Sequence, residues 1–160
     1  MRGTSTTTFE PNTRMNRAMM VQILYNKKGQ PAVHSSTPAF KDVPKSQWYY
    51  NAVQWAYETG VTAGSGGGKF QPNEKVTREQ FAQFLYNYVG KPAVSGKLDF
   101  PDANKTSGWA VDAMLWANQN NMINGKKMPD GSVLLDPLGA TTRAEAASIL
   151  RGFCIMQEKQ

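Results

Sequence analysis

The segment Gly29-Gln30-Pro31-Ala32-Val33 recurs as Gly90-Lys91-Pro92-Ala93-Val94, 61 residues further along the chain. Self-similarity at a fixed spacing is typical of a repeat architecture. Aromatic, basic and turn-forming residues recur at the same spacing, namely Pro11 and Pro72, Arg17 and Arg78, Trp48 and Trp109, Trp55 and Trp116, Gly64 and Gly125. The chain is therefore built from copies of one unit.

The repeat divides the chain into a partial first copy over residues 1–33, a full second copy over 40–94 and a full third copy over 100–154. The third copy carries a longer loop, so the counterpart of Arg78 is Arg143, 65 residues on. Met1 aligns near Thr62, in the middle of the second copy, so we expect the first copy to lack its front half and the polypeptide to begin upstream. The copies are expected to form one structural unit, because each apolar helix face needs a neighbour to cover it.

The second copy has the pattern of two helices joined by a glycine-rich turn. Apolar residues at helical spacing predict a first helix over Trp48–Thr59, and Gly60 follows it as a typical C-terminal cap. The second helix is predicted to begin after Thr77, whose hydroxyl forms a capping box with Gln80.

The other copies repeat this plan. The third copy predicts a helix over Trp109–Asn120 and a second helix whose capping box is Thr142 and Glu145, while Asn16 is the cap in the first copy. The apolar faces of the three capped helices are Met20, Ile23 and Leu24; Phe81, Phe84, Leu85 and Tyr88; Ala146, Ile149, Leu150 and Phe153. Because the first copy lacks its leading helix, we expect an exposed apolar strip along Met20, Ile23 and Leu24, and possible self-association through it.

The charge balance favours an anionic partner. The chain has 18 Lys and Arg against 12 Asp and Glu, a net charge of +6. The basic residues are scattered, which disfavours nucleic acid and a membrane surface and favours a polymer with spaced negative groups. No apolar run is long enough to span a membrane, and any export signal is expected to lie outside this chain. Cys154 is the only cysteine, and neither a cofactor nor a metal site is predicted.

Arg17, Arg78 and Arg143 each follow directly on a helix cap, where the helix dipole disfavours a cation by roughly 0.3–1 kcal/mol. A guanidinium beside free helix amides would form a compound anion site, with a bidentate fork for a carboxylate. In the alternative interpretation, each arginine pairs with a carboxylate of the adjacent copy and serves only the architecture.

One series of residues runs through both full copies in the same order. In the second copy it is Phe40-Lys41-Asp42-Val43, Trp48, Ala52-Val53, Gly60, Gly64, Phe70, Pro72 and Thr77-Arg78-Glu79-Gln80. In the third copy it is Phe100-Pro101-Asp102, Trp109-Ala110, Ala113-Met114, Gly125, Pro137 and Thr142-Arg143-Ala144-Glu145. This series resembles the S-layer homology repeat, whose Thr-Arg-Ala-Glu tetrad is intact in the third copy.

The resemblance implies a mainly α fold, with helix-loop-helix repeats in a pseudo-threefold arrangement around a central three-helix bundle. It implies a non-catalytic module that fixes exported proteins to the envelope of Gram-positive bacteria, outside the cell, by binding an anionic, commonly pyruvylated, peptidoglycan-linked polysaccharide in grooves between repeats. Two alternatives stay open: a structural or protein-interaction module, and the C-terminal anchor fragment of a secreted hydrolase. No facing pair of carboxylates supports glycosidase chemistry in the chain itself.

Further candidate binding residues accompany the arginines. Trp48 and Trp109 could stack on sugar rings, but an aromatic that recurs together with Trp55 and Trp116 is more often part of the core, and we favour that interpretation. Asp42 and Asp102 are expected to organise the turn before the first helix by bonding to the backbone, with hydroxyl binding as the less favoured role.

The turn before each arginine helix contains Gly64-Ser65 in the second copy, Gly125-Lys126 in the third and Gly3-Thr4 in the first. Glycine there serves either the backbone conformation or close approach to a ligand, and the sequence leaves both roles open.

Overall fold

A computed structural model describes residues 9–159, so Gly3 and Thr4 lie outside the described residues. Within this range the chain forms five α-helices, two 3-10 turns and one two-stranded antiparallel hairpin, and the predicted mainly α fold is confirmed. The elements are α1 (Arg17–Lys27), α2 (Tyr50–Glu58), α3 (Arg78–Tyr88), the 3-10 turns Ala103–Lys105 and Gly108–Ala110, α4 (Val111–Gln119), β1 (Lys126–Lys127), β2 (Val133–Leu134) and α5 (Arg143–Glu158). No described helix is long and apolar enough to cross a membrane.

The capped helices begin where the sequence predicts. The Asn16 side chain accepts a hydrogen bond from the Met19 amide, and both predicted capping boxes form, Thr77 with Gln80 and Thr142 with Glu145. These contacts are local, since each joins residues three positions apart. They satisfy amides that helix geometry leaves without a partner, which fixes the start of each helix.

The two uncapped helices begin later than predicted. The first residue of α2 is Tyr50 instead of Trp48, and α4 begins at Val111, after the 3-10 turn that contains Trp109. Neither helix has a side-chain cap to fix its first residue. Both tryptophans therefore stand before the helices and do not share their buried faces.

The helices of consecutive copies cover one another. Helix α1 packs on α2, and α3 packs on α4. The contacts repeat, since the ring centroids of Tyr25 and Trp55 are 5.6 Å apart and those of Tyr86 and Trp116 are also 5.6 Å apart. Trp55 and Trp116 are buried, as predicted. Neighbouring copies thus share one core.

The prediction of an exposed apolar strip along the first copy is wrong. Met20 and Leu24 are fully buried and Ile23 is partly buried. Helix α1 packs against α2 of the second copy and also contacts α3. This face is therefore covered within the chain itself, and the expectation of self-association through it is not supported.

A closed ring of three backbone hydrogen bonds joins the segments that precede α1, α3 and α5. The Met15 amide donates to the Thr141 carbonyl at 2.9 Å, the Thr141 amide to the Val76 carbonyl at 2.8 Å, and the Val76 amide to the Met15 carbonyl at 2.9 Å. Each of these residues stands two positions before one of the three arginines. The ring therefore brings the arginine helices together at their N-terminal ends. The pseudo-threefold bundle itself stays a prediction, which this ring favours.

Candidate anion-binding grooves

Each of the three arginines reaches into the next copy of the repeat. The Nε of Arg17 donates to the Phe70 carbonyl at 2.7 Å, and Arg78 donates to the Leu135 carbonyl at 3.0 Å. Arg143 donates to the carbonyl of Phe9 at 2.8 Å. These acceptors occupy equivalent positions in the second, third and first copies. All three arginines are buried, so part of their role is to join the copies.

The helix amides beside the arginines are occupied, contrary to the prediction that they would be free for a ligand. The Arg17 amide donates to the Glu74 carbonyl at 3.0 Å, and the Ala18 amide to the Pro72 carbonyl at 2.9 Å. The Met19 amide donates to the Asn16 side chain. The first turns of α3 and α5 are closed by the same pattern of contacts. Any anion must therefore be held by side chains.

An open groove of about 640 Å³ lies where the three copies meet at Arg17. It brings together four of the residues predicted from the sequence, Arg17, Gly64, Ser65 and Trp109. We call it the Arg17 groove. The groove is also lined by polar residues that were not predicted to bind a ligand, namely Thr62, Gln71, Gln80, Gln83, Asn87 and Lys91. Three of these stand on α3 at positions 80, 83 and 87, a helical spacing that indicates one polar face.

Arg17 borders this groove without forming an ion pair with a carboxylate of the described residues. Among residues 9–159 no ion pair reaches its guanidinium, and its Nη2 is buried without a hydrogen-bond partner. The guanidinium carbon lies 4.8 Å from the ring centroid of Phe70 and 5.4 Å from that of Phe84. Burial lowers the pKa of Arg17, and the charge of Asp42 opposes this shift only in part. Burying a cation with an unpaired N–H group is energetically unfavourable.

The expectation that Trp48 and Trp109 belong to the core is wrong. The two residues are 62% and 57% exposed, although the neighbouring Tyr49 and Ala110, which also precede the helices, are buried. Trp109 borders the Arg17 groove. Trp48 lies outside it and packs edge-on against Tyr49, with ring centroids 5.1 Å apart.

Asp42 and Asp102 bind the backbone, but over a longer range than predicted. The two carboxylate oxygens of Asp42 accept hydrogen bonds from the amides of Phe70 and Gln71, both at 2.8 Å. Asp102 does the same with the amides of Leu135 and Asp136, both at 2.8 Å. Each aspartate thus holds the segment whose carbonyl accepts from an arginine. They are positioning residues, and neither lines the Arg17 groove.

The environment of Asp42 stabilises its charged form. Burial alone would raise its pKa, but the hydrogen bonds from the Phe70 and Gln71 amides and the charge of Lys69 outweigh burial, and the pKa lies below its ordinary value. The carboxylate is therefore ionised when it holds this segment.

Gly64 and Gly125 are required by the backbone. Their φ angles are +88° and +86°, in the region that favours glycine. A Cβ atom on Gly64 would lie 2.7 Å from the Lys69 carbonyl oxygen, and one on Gly125 would lie 2.8 Å from the Phe100 ring. The conformational role is thus supported at both positions, and Gly64 also forms part of the groove wall.

The surroundings of Arg78 differ in charge from those of Arg17. Arg78 Nη1 lies 3.6 Å from Glu145 Oε1. Lys126 Nζ lies 3.5 Å from the same oxygen and 3.6 Å from Asp136 Oδ2. Burial alone would raise the pKa of Glu145, but hydrogen bonds from Thr142 and the charges of Lys126 and Arg78 outweigh it, so the pKa is lowered. The architectural interpretation therefore fits Arg78.

No group of three or more His, Cys, Asp and Glu side chains within the described range is arranged to hold a metal ion.

Comparison with known proteins identifies the class of this module. The profile of the S-layer homology domain matches residues 39–82 and 99–147, which cover most of the two full copies predicted from the sequence. The chain therefore belongs to the S-layer homology domain family, the non-catalytic modules that anchor proteins to the cell wall at the cell surface.

The relatives are cell-surface proteins and polysaccharide-degrading enzymes. The chain is 32% identical over 155 residues to an endoglucanase of Bacillus sp. (strain KSM-635), covering 92% of this chain and 16% of that protein. It is 28% identical over 149 residues to the surface-layer 125 kDa protein of Lysinibacillus sphaericus, covering 93% and 12%. It is 29% identical over 86 residues to a cellulosome-anchoring protein of Acetivibrio thermocellus, covering 52% and 19%. The chain thus spans less than a fifth of each of these relatives, and the likeness is to one part of each protein.

Proposed function

We propose that this chain holds the protein that carries it at the cell wall by binding an acidic substituent of a wall polysaccharide in the Arg17 groove, without catalysis of its own. The observation that carries the proposal is the buried guanidinium of Arg17, which borders an open groove and has no carboxylate partner among residues 9–159. An anionic ligand would supply the missing charge.

The lining of the groove suits a glycan. Trp109 offers an exposed aromatic face on which a sugar ring can stack. The amide side chains of Gln80, Gln83 and Asn87 both donate and accept hydrogen bonds, as sugar hydroxyls require. A volume of about 640 Å³ lies within the range of small-ligand sites. The groove thus combines two cations, Arg17 and Lys91, with one aromatic face and several neutral polar groups.

The acidic substituent fits best as a carboxylate on a sugar ring, such as a pyruvyl ketal. The Nε of Arg17 is committed to the Phe70 carbonyl, so the ligand is bound through the remaining guanidinium edge and not by the full fork. Lys91 adds a second positive charge to the lining. The net charge of +6 assists the approach of an anionic polymer.

Purified Gram-positive cell-wall sacculi provide the first test. The chain should sediment with intact sacculi and lose this binding after the acidic polymer is removed chemically. Retention on sacculi stripped of the polymer would contradict the proposal.

A matched pair of variants tests whether the ligand binds in the Arg17 groove. Trp109→Ala removes the aromatic wall and should cost about 1–2 kcal/mol, roughly a five- to thirtyfold weaker Kd. The control is Trp48→Ala, which deletes an equally exposed tryptophan outside the groove. Ligand-induced shifts of the Gly64 and Ser65 amide signals should weaken in Trp109→Ala and persist in Trp48→Ala. Equal behaviour of the two variants would count against this site.

A further inference from the structure

A second cleft, smaller than the Arg17 groove, opens beside the turn that Asp42 holds. Its volume is about 260 Å³, and it is lined by Asp42, Tyr49, Gln71, Pro72, Asn73 and Glu74. We call it the Tyr49 cleft. Its described lining contains two carboxylates and no basic side chain, although the chain as a whole has a net charge of +6. The cleft is therefore an acidic spot on a basic module.

Tyr49 presents a hydroxyl without a partner to this cleft. The residue is only 6% exposed, and its ring packs edge-on against that of Trp48. Within residues 9–159 the hydroxyl forms no hydrogen bond. Burial and the charge of Asp42 raise the pKa of Tyr49, so the hydroxyl stays protonated and can donate. A tyrosine held this firmly without a polar partner is available to a ligand.

The Glu74 carboxylate is also unused by the protein. Glu74 is exposed, and its side chain has no hydrogen bond or ion pair in the part of the chain that the structure describes. Its carbonyl accepts from the Arg17 amide at 3.0 Å, and the Gly139 carbonyl accepts from the Arg78 amide at 2.9 Å in the same way. Because Gly139 performs this role without a side chain, the framework does not require the carboxylate.

The third copy keeps the framework of the cleft without its polar side chains. Asp102 holds the segment equivalent to the one that Asp42 holds. The positions of Tyr49, Asn73 and Glu74 are occupied there by Ala110, Leu138 and Gly139. The turn therefore folds without the hydroxyl, the amide and the carboxylate of the second copy, and a binding role accounts for their presence together.

We propose that the Tyr49 cleft binds the protonated amino group of an amino sugar. Asp42 accepts one backbone amide at each oxygen and retains further lone pairs, so it can join Glu74 in binding an ammonium group. The hydroxyl of Tyr49 and the amides of Gln71 and Asn73 can bind sugar hydroxyls. The small volume limits the occupant to a small group.

The choice of a sugar as the carrier of the amine rests on the proposed function. Gln71 lines both the Tyr49 cleft and the Arg17 groove, so a glycan in the groove can continue into the cleft. The binding of an ammonium group itself rests only on the lining of the cleft.

Two glycosides that differ in one group provide the test. Methyl glucosaminide and methyl N-acetylglucosaminide are titrated into the isotope-labelled full chain at about pH 6, where an aliphatic amine is protonated and ordinary carboxyl groups are ionised. The amide signals of Tyr49 and Asn73 report on the cleft. The variants are Glu74→Gln and Tyr49→Phe, and Glu158→Gln removes an exposed carboxylate outside the cleft as the control. Circular dichroism verifies that each variant is folded.

In the wild-type chain we expect saturable shifts at Tyr49 and Asn73 with methyl glucosaminide. Acetylation of the amine should weaken the Kd by at least about fivefold, because a neutral amide forms no ion pair with either carboxylate. Glu74→Gln should weaken it by about two- to fivefold, as for an exposed ion pair, and Tyr49→Phe by about two- to tenfold. Glu158→Gln should bind as the wild type does.

The outcomes separate this site from the Arg17 groove. Equal affinity for the two glycosides, no saturable shift at Tyr49 and Asn73, or equal effects of Glu74→Gln and Glu158→Gln would overturn the proposal. A tighter Kd for Nα-acetyl-lysine amide than for methyl glucosaminide would indicate a protein ligand and overturn the assignment to a sugar. Sedimentation with sacculi and the signals of Gly64 and Ser65 test the proposed function separately, so either idea can fail while the other stands.

Discussion

Replacing Asp42 with Asn tests whether this aspartate holds the segment that accepts from Arg17. The carboxylate accepts two hydrogen bonds of 2.8 Å, from the amides of Phe70 and Gln71. Asn keeps one acceptor oxygen and turns an NH2 group toward the second amide. A hydrogen bond to a charged group contributes about 1.5–3 kcal/mol, so losing one and weakening the other should cost about 2–3 kcal/mol. For a chain of this size the melting temperature should fall by about 4–12 °C.

Urea unfolding followed by circular dichroism measures this loss, with Asp99→Asn as the control. Asp99 is an exposed loop residue, and its substitution should change the free energy of unfolding by less than about 0.5 kcal/mol. A loss below about 0.5 kcal/mol for Asp42→Asn would refute the positioning role.

The contribution of Asp42 to the free energy of unfolding should change with pH in a defined direction. The pKa of Asp42 is lowered in the folded protein, so its contribution is complete above the unfolded value of about 3.9 and is lost as the pH falls through the folded value. The difference in stability between wild type and Asp42→Asn should therefore be full at neutral pH and shrink below about pH 4. A difference that grows on acidification would contradict the assignment.

Two further predictions concern the core and the groove turn. Leu24→Ala should lower the free energy of unfolding by about 2–5 kcal/mol, because Leu24 is fully buried between copies; a loss below about 1 kcal/mol in urea unfolding would mean that this face is exposed after all. Gly64→Ala should destabilise the chain by more than Gly66→Ala, since both have positive φ but only the first would bring a Cβ against Phe40 and Lys69. Equal losses in thermal unfolding would contradict the close approach at Gly64.

The sequence predicts those features that depend on nearby residues. The caps at Asn16, Thr77 and Thr142 form because each involves side chains and amides within one helical turn. The apolar faces of the capped helices follow helical spacing, and the burial of Trp55 and Trp116 follows from their place inside the helices. These outcomes need no knowledge of how the copies are arranged.

The sequence does not predict what the neighbouring copy supplies. The first-turn amides of α1 are occupied by the carbonyls of Pro72 and Glu74, more than 50 residues away, and no local pattern indicates this. The exposure of Trp48 and Trp109 has no local signal either, since Tyr49 and Ala110 directly after them also precede the helices and are buried.

The composition of the groove also cannot be predicted from the sequence of a single copy. The groove joins Arg17 of the first copy, Gln80 of the second and Trp109 of the third, and only the packing of all three brings them together. The difference between Gln80 and Glu145 is visible in the sequence, but the ion pairs that Glu145 makes with Arg78 and Lys126 are visible only in the structure.

The most direct test of the central claim is a crystal structure of the chain bound to a disaccharide fragment of the wall polymer that carries a carboxylate. We expect the carboxylate within 4 Å of the Arg17 guanidinium, with a sugar ring against Trp109. A ligand bound away from Arg17 by neutral hydroxyl contacts alone would contradict the account.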